Sequence, residues 1–282
     1  MNTTAVPDYA NWIERIWNQE VALPQLLAYA ETLAERPALA AMLYRTWLQR
    51  CTGPHSAIAW FNLGVILATH HDLQGAAEAY QQAIALNTEF SHARINLGLA
   101  LERQGKADAA VGQWQAVADQ AIPGNREQIS LQATALNHIG RLQEDRKQYQ
   151  AASQALEHSL RLNPEQPDAI HHLVFQRQKQ CQWPIYAPVG DVSAAALRAG
   201  TSALAMLNVS DAPQAQLEAT LNYARRKIPA DLPRLSPPQG YRHGKIRVAY
   251  CSGDFCTHPV AMLTMELFEH HDKAGFETYA FC

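Results

Sequence analysis

No run within the 282 residues comes near the ~18 consecutive apolar side chains that carry a helix across a membrane, so neither a membrane span nor a membrane partner is expected. The amino-terminal stretch MNTTAVPDYANWIERIW does not couple a basic segment to an apolar one as a secretory leader does. Cysteine is scarce. Cys51, Cys181, Cys251, Cys256 and Cys282 are odd in number and scattered, which excludes a disulfide framework and sets the expectation of a reducing, cytoplasmic address. Charge of either sign is thin: 23 basic residues against 26 acidic ones give a net charge of -3, too weak a field to draw the chain to nucleic acid. Phosphate-cradling loops are missing, since Ser252-Gly253-Asp254 offers a single glycine. Cys251 and Cys256 have no second pair to complete a zinc site, and Cys251 is expected to face the core of its strand. The adjacent histidines His70-His71, His171-His172 and His270-His271 would point about 100° apart on a helix and so do not converge on one ion. They are expected at the surface or at helix ends, and no metal is expected.

What is present is periodic. Hydrophobic residues make up 48% of the chain, enough for a substantial core. Asn62-Leu63-Gly64 returns as Asn96-Leu97-Gly98, a repeat of 34 residues. In the first unit Trp60, Leu63, Gly64, Leu67, Ala76, Tyr80 and Ala83 alternate bulky and tiny side chains in a fixed order. Arg94, Leu97, Gly98, Leu101, Ala110, Trp114 and Val117 follow it in the second unit, departing only at Arg94 and Val117. Period and slots are those of the tetratricopeptide helix pair. The tiny residues let the two helices of a pair approach, and the aromatics fill the space between helices. A third unit places Ile139, Gly140, Ala152, Leu156 and Pro164 in the same slots, yet Gly140 lies 42 residues after Gly98. The excess falls near residues 121–128, where Ile122-Pro123-Gly124-Asn125 breaks the pattern, and reads as a lengthened loop or an extended helix end. A partial fourth unit starts near Pro167, without a clear second helix, and Ala22 to Arg50 reads as a degenerate repeat or cap.

Stacked pairs of this kind make a concave groove lined by their first helices. The slot before Leu-Gly carries Asn62 and Asn96, then His138 and His172. A carboxamide both donates and accepts, so a row of them suits the backbone of an extended acceptor peptide. The alternative is that these side chains satisfy neighbouring helix backbone or water. Beyond the repeats come Cys181-Gln182-Trp183, an Ala-rich helical stretch over Ser193 to Met206, and a proline-rich boundary over Pro229 to Pro238. Ile246 to Cys251 then reads as a strand, Val260 to His271 as a helix and Phe276 to Cys282 as a second strand, a βαβ order that calls for a larger parallel sheet. The expected fold class is mainly α, a tetratricopeptide α-solenoid followed by an incomplete Rossmann-like α/β piece. The expected divisions are residues 1–55 (cap), 56–180 (repeats), 181–243 (helical linker) and 244–282 (first βαβ element).

The run Ser252-Gly253-Asp254-Phe255-Cys256-Thr257-His258-Pro259 after a strand resembles the start of the catalytic region in the SPINDLY and protein O-GlcNAc transferase family, and Cys181-Gln182-Trp183 resembles that family's C-x-W segment. The resemblance implies inverting transfer of a sugar from UDP-GlcNAc or another UDP-sugar to a Ser or Thr hydroxyl, with no tightly bound cofactor. It also implies nucleotide-binding residues beyond residue 282, and a matching row of groove asparagines. His258 is the implied catalytic residue, as base or acceptor-positioning group; the bland alternative is a histidine that caps or packs at a helix entry. Asp254 is expected to shape the turn. The competing reading is a non-catalytic peptide-binding scaffold.

Overall fold

The computed structural model describes residues 8–53, 55–120, 125–233, 236 and 239–282. Fourteen helices and two strands lie among them. The chain divides into two compact units, Met1–Lys227 and Ile228–Cys282.

The first unit opens with α1 (Tyr9–Trp17), α2 (Leu23–Glu31) and α3 (Pro37–Arg50). Trp12 stacks on Tyr29 at 4.3 Å, and the buried Trp47 donates its indole N–H to the Val21 carbonyl at 2.8 Å, which ties α3 to the start of α2. Three helix pairs follow: α4 (Ser56–Thr69) with α5 (Leu73–Leu86), α6 (Ser91–Arg103) with α7 (Ala107–Ala118), and α8 (Arg126–Asp145) with α9 (Tyr149–Leu162). A single helix of the same type, α10 (Pro167–Lys179), extends the stack.

Each pair closes on a glycine. A Cβ on Gly64 would sit 2.6 Å from the Tyr80 ring, on Gly98 2.5 Å from Trp114 Cε2, and on Gly140 2.9 Å from Leu156, so a large side chain of the second helix lies directly on first-helix backbone. Tyr80 and Trp114 are both buried, and Trp114 donates to the Ile95 carbonyl at 3.1 Å. The turn within each pair also recurs. His71, Gly105 and Lys147 take positive φ, and the next amides, of Asp72, Lys106 and Gln148, reach back to the carbonyls of Leu67, Leu101 and Gln143. This is a left-handed helix stop that satisfies the last carbonyls of the first helix. Cys181 does the same after α10, with Gln182 bonded to the Arg177 carbonyl. The Cys181-Gln182-Trp183 segment is thus the turn of the fourth unit, although among the described residues no matching second helix follows.

The excess residues of the third unit lengthen a helix. α8 has 20 residues against 14 in α4 and 13 in α6. Its added first turns are held by a polar knot in which Gln128 accepts from Ser91 (3.2 Å) and donates to Gln120 (2.5 Å), and Gln132 donates to the Ala118 carbonyl (3.2 Å). Ile122, Pro123 and Gly124 fall outside the described residues.

Past α10, the buried Arg177 clamps the following loop. It donates to the carbonyls of Ile185 (3.0 Å) and Ala187 (2.6 Å) and pairs with Glu157 at 2.9 Å. The helical stretch expected over Ser193 to Met206 is two short helices, α11 (Ala194–Gly200) and α12 (Ala203–Leu207). Ser193 and Ser202 each accept from an amide three residues on, so the second serine starts a new helix instead of continuing the first. α13 (Pro213–Lys227), which sequence periodicity did not single out, ends the unit.

In the second unit β1 (Ile246–Cys251) and β2 (Phe276–Phe281) pair in parallel, Ile246 opposite Phe276 through Cys251 opposite Phe281, and α14 (Pro259–Glu269) connects them. Tyr250 meets Phe268 of α14 edge-on at 5.1 Å. Side chains alternate along a strand, so Cys251 shares the opposite face with Arg247, which pairs with Glu277 at 2.7 Å. Cys251 is accordingly exposed, and the expectation that it faces a core is corrected by one step of parity. Among the described residues the sheet has these two strands alone.

Gly98→Ala is expected to cost about 1–3 kcal/mol by forcing Trp114 off its seat; a urea denaturation midpoint equal to wild type would show that the close approach is not needed.

Candidate functional site

Successive first helices touch one another, α4 with α6, α6 with α8 and α8 with α10, whereas successive second helices make no comparable contact among the described residues. The stack of the first unit therefore curves with its first helices inside. Asn62, Asn96, His138 and His172 hold one slot, two residues before Gly64, Gly98, Gly140 and Val174, and all four are half-buried.

Each of the first three rungs leans on an aromatic residue of the preceding second helix. The Asn62 carboxamide interacts with the Tyr44 hydroxyl and that of Asn96 with the Tyr80 hydroxyl. Burial pushes the Tyr80 phenol up to about 12 against the opposing pull of Asn96, so it stays neutral. His138 stacks on Trp114 at 5.1 Å with 23° between planes. The fourth rung differs, because Leu156 fills the aromatic slot and His172 instead bonds through Nδ1 to Glu144 at 2.9 Å. Both asparagines are thus partly engaged by the fold itself, yet a carboxamide has more donors and acceptors than one phenol uses. Beside Asn96 lies a recess of about 390 Å³, walled by Val65, Thr69, Tyr80, Leu99 and Arg103.

Character changes along the row. Ile58 and Val65 expose apolar surface near the Asn62 end. Toward the other end charges bridge neighbouring first helices: Arg141 grips both oxygens of Glu102 at 2.7 and 2.6 Å and reaches Asp145 at 3.4 Å. Glu102 and Glu144 were not singled out from sequence, but a signal existed, since each stands four residues after its unit's glycine, Gly98 or Gly140. His171 and His172, expected at the surface or at helix ends, lie within α10 and are half-buried. Their helix packs its start against the end of α8, which half-buries both and brings Glu144 to His172. The hydrogen bond it donates to Glu144 raises His172 above its usual 6.5, while burial lowers His138 and His171 below it. Burial works against the Glu144 carboxylate, but the His172 bond and charge outweigh it and hold that carboxyl below its usual range.

In the second unit His258 is the N-cap of α14, accepting the Val260 N–H at Nδ1 (3.3 Å) with Asp254 3.9 Å away. Nδ1 acting as acceptor places the proton of the neutral ring on Nε2, so His258 presents a donor outward; acting as a base would first require giving up the cap. Asp254 takes part in the turn, its amide donating to Ser252 Oγ at 3.1 Å. Among the described residues no cluster of three or more His, Cys, Asp or Glu side chains is arranged to hold a metal, and no helix is long and apolar enough to cross a membrane.

A curved stack of helix pairs with a polar row along its inner helices is an α-solenoid of interaction-module type. The model of the tetratricopeptide repeat family matches residues 26–88, 69–126 and 96–167, together half of the chain, and the protein belongs to that family. Among solved structures, PilF of Pseudomonas aeruginosa superposes with a TM-score of 0.51 at 19% identity, covering 79% of this chain and 94% of that one. A double mutant of MamA from strain RS-1 gives 0.48 at 16% identity over 80% and 100% of the two chains. YrrB, described as a tetratricopeptide-repeat protein with an unusual peptide-binding site, gives 0.47 at 16% over 76% and 98%. Identities this low speak to fold alone. No curated protein matches the chain.

The His172–Glu144 pair stabilises the fold while both groups are charged. Its contribution is lost as pH rises through the raised His172 pKa and as it falls through the lowered Glu144 pKa. In Glu144→Gln the His172 ring is expected to titrate at lower pH by NMR, and the gap in melting temperature from wild type should narrow between about pH 6 and about pH 9. An unmoved His172 titration would show that Glu144 is not its partner in solution.

Proposed function

We propose that the protein is a peptide-binding scaffold whose ligand lies along the inner face of the first helices. The observation that carries this reading is the single slot, repeated on four consecutive inner helices, that holds Asn62, Asn96, His138 and His172. Extended backbone presents donors and acceptors at regular intervals, and carboxamides at repeat spacing can meet them without selecting a sequence. The partner is a protein or peptide segment, with neither nucleic acid nor membrane called for, and the working location is the cytoplasm. Changing Asn62 and Asn96 together to Ala should weaken peptide capture by about tenfold, the scale of two lost hydrogen bonds. The fold should lose no more than the contacts to the Tyr44 and Tyr80 hydroxyls are worth, about 1 kcal/mol each, and the solenoid should stay folded. Peptide affinity equal to wild type in a fluorescence anisotropy titration would remove the row from the site.

A second reading places the chain at the front of a protein O-glycosyltransferase, the repeats presenting an acceptor whose Ser or Thr hydroxyl receives sugar from UDP-GlcNAc or another UDP-sugar. The specific support is the Ser252-x-Asp254-Phe255-x-x-His258-Pro259 run at a strand-to-helix turn, with His258 capping α14 and its Nε2 free of that bond. In this reading His258 positions the acceptor or, after releasing Val260, takes its proton. The test is transfer from UDP-GlcNAc by the native gene product. His258→Ala should abolish transfer without lowering the melting temperature by more than a cap is worth, about 1 kcal/mol of stability. No transfer by wild type, or full transfer by the variant, would leave the scaffold reading alone.

A further inference from the structure

The last helix of the first unit points to what the far end of the groove takes. α13 carries Arg225, Arg226 and Lys227 in its final turn and buries only Ala219 among its side chains, so its own packing holds it lightly. That turn ends beside the first turn of α10. Lys227 Nζ lies 3.0 Å from the Asp168 carboxylate, and Arg226 acts electrostatically on both Asp168 and His171. Asp168 stands four residues before His172, one helical turn away on the same face of α10, and so belongs to the inner surface. Glu144 and Asp145, at the end of α8, add carboxylates to the same end of the row.

Two consecutive cations of the chain, Arg226 and Lys227, thus stand where a ligand following the row from Asn62 would finish. We propose that this end of the groove receives a basic segment of the partner, and that the final turn of α13 is an internal stand-in which such a segment must displace. The proposal rests on the peptide-groove reading and deepens it: polar backbone contacts at the asparagine end, and lysine or arginine side chains against Asp168 and its neighbours at the histidine end. Both residues of the Lys227–Asp168 pair are well exposed, at 45% and 70%, so the contact exchanges with solvent and can yield to a competitor.

The experiment uses the whole chain and two fluorescein-labelled decapeptides, one with lysine at every third position and one with glutamate there. The lysine peptide should bind wild type at low ionic strength, and Arg226→Ala/Lys227→Ala should tighten it by about two- to fivefold, the range set by an exposed ion pair. Asp168→Asn should weaken the lysine peptide even though it too releases α13. The glutamate peptide, left with the backbone contacts of the asparagine end alone, should bind all three more weakly than the lysine peptide binds wild type. Melting curves confirm that each variant is folded. Unchanged or weaker lysine-peptide binding in the double variant, or equal binding of the glutamate peptide, would overturn the inference while leaving the groove intact. Failure of wild type and variants to bind either decapeptide would overturn both.

Discussion

Large side chains resting on bare backbone set the geometry of the first unit. Tyr80 lies on Gly64, Trp114 on Gly98 and Leu156 on Gly140, and no Cβ fits at any of the three. Each contact recurs at the same point of its pair, so the pairs share one packing motif, and a repeated motif stacks into a curve. Repeated left-handed stops at His71, Gly105 and Lys147 keep the connections equally short. Curvature then decides which helices face inward, and so which side chains a partner can reach.

That inner face is also where the core and the candidate site meet. Tyr80 and Trp114, which fill the pairs, reach through to support Asn96 and His138 on the surface. A rung backed by a buried aromatic loses little side-chain entropy on binding, because much of its freedom is already spent. The fourth unit has no such backing, and its histidine turns to a carboxylate instead. The consequence is a groove of two chemistries, neutral hydrogen bonding at one end and ionic pairing at the other.

The second unit poses a different problem. Its two parallel strands and one helix leave Met262, Leu263 and Met265 exposed at 65%, 83% and 58%, more apolar surface than so small a unit can cover. Within it, His258 has a settled local duty as a helix cap, and any chemistry assigned to it has to begin from that hydrogen bond.

Sequence alone determined the repeat, because tiny and bulky side chains at fixed spacing have one packing solution that depends only on neighbours in the chain. It also placed the strand, turn and helix around His258, where apolar runs, a serine-aspartate turn and His-Pro mark their own boundaries. Partnerships between distant residues were beyond it. Whether Cys251 faced in or out turned on one step of strand parity relative to α14. The pairing of His172 with Glu144 needed α10 to pack against the end of α8, and the approach of α13 to Asp168 needed a fold-back 59 residues long. Local spacing encodes which helices form and how the two of a pair close; electrostatic neighbours between units and along the returning α13 depend on packing between elements distant in the chain, which only the tertiary structure carries.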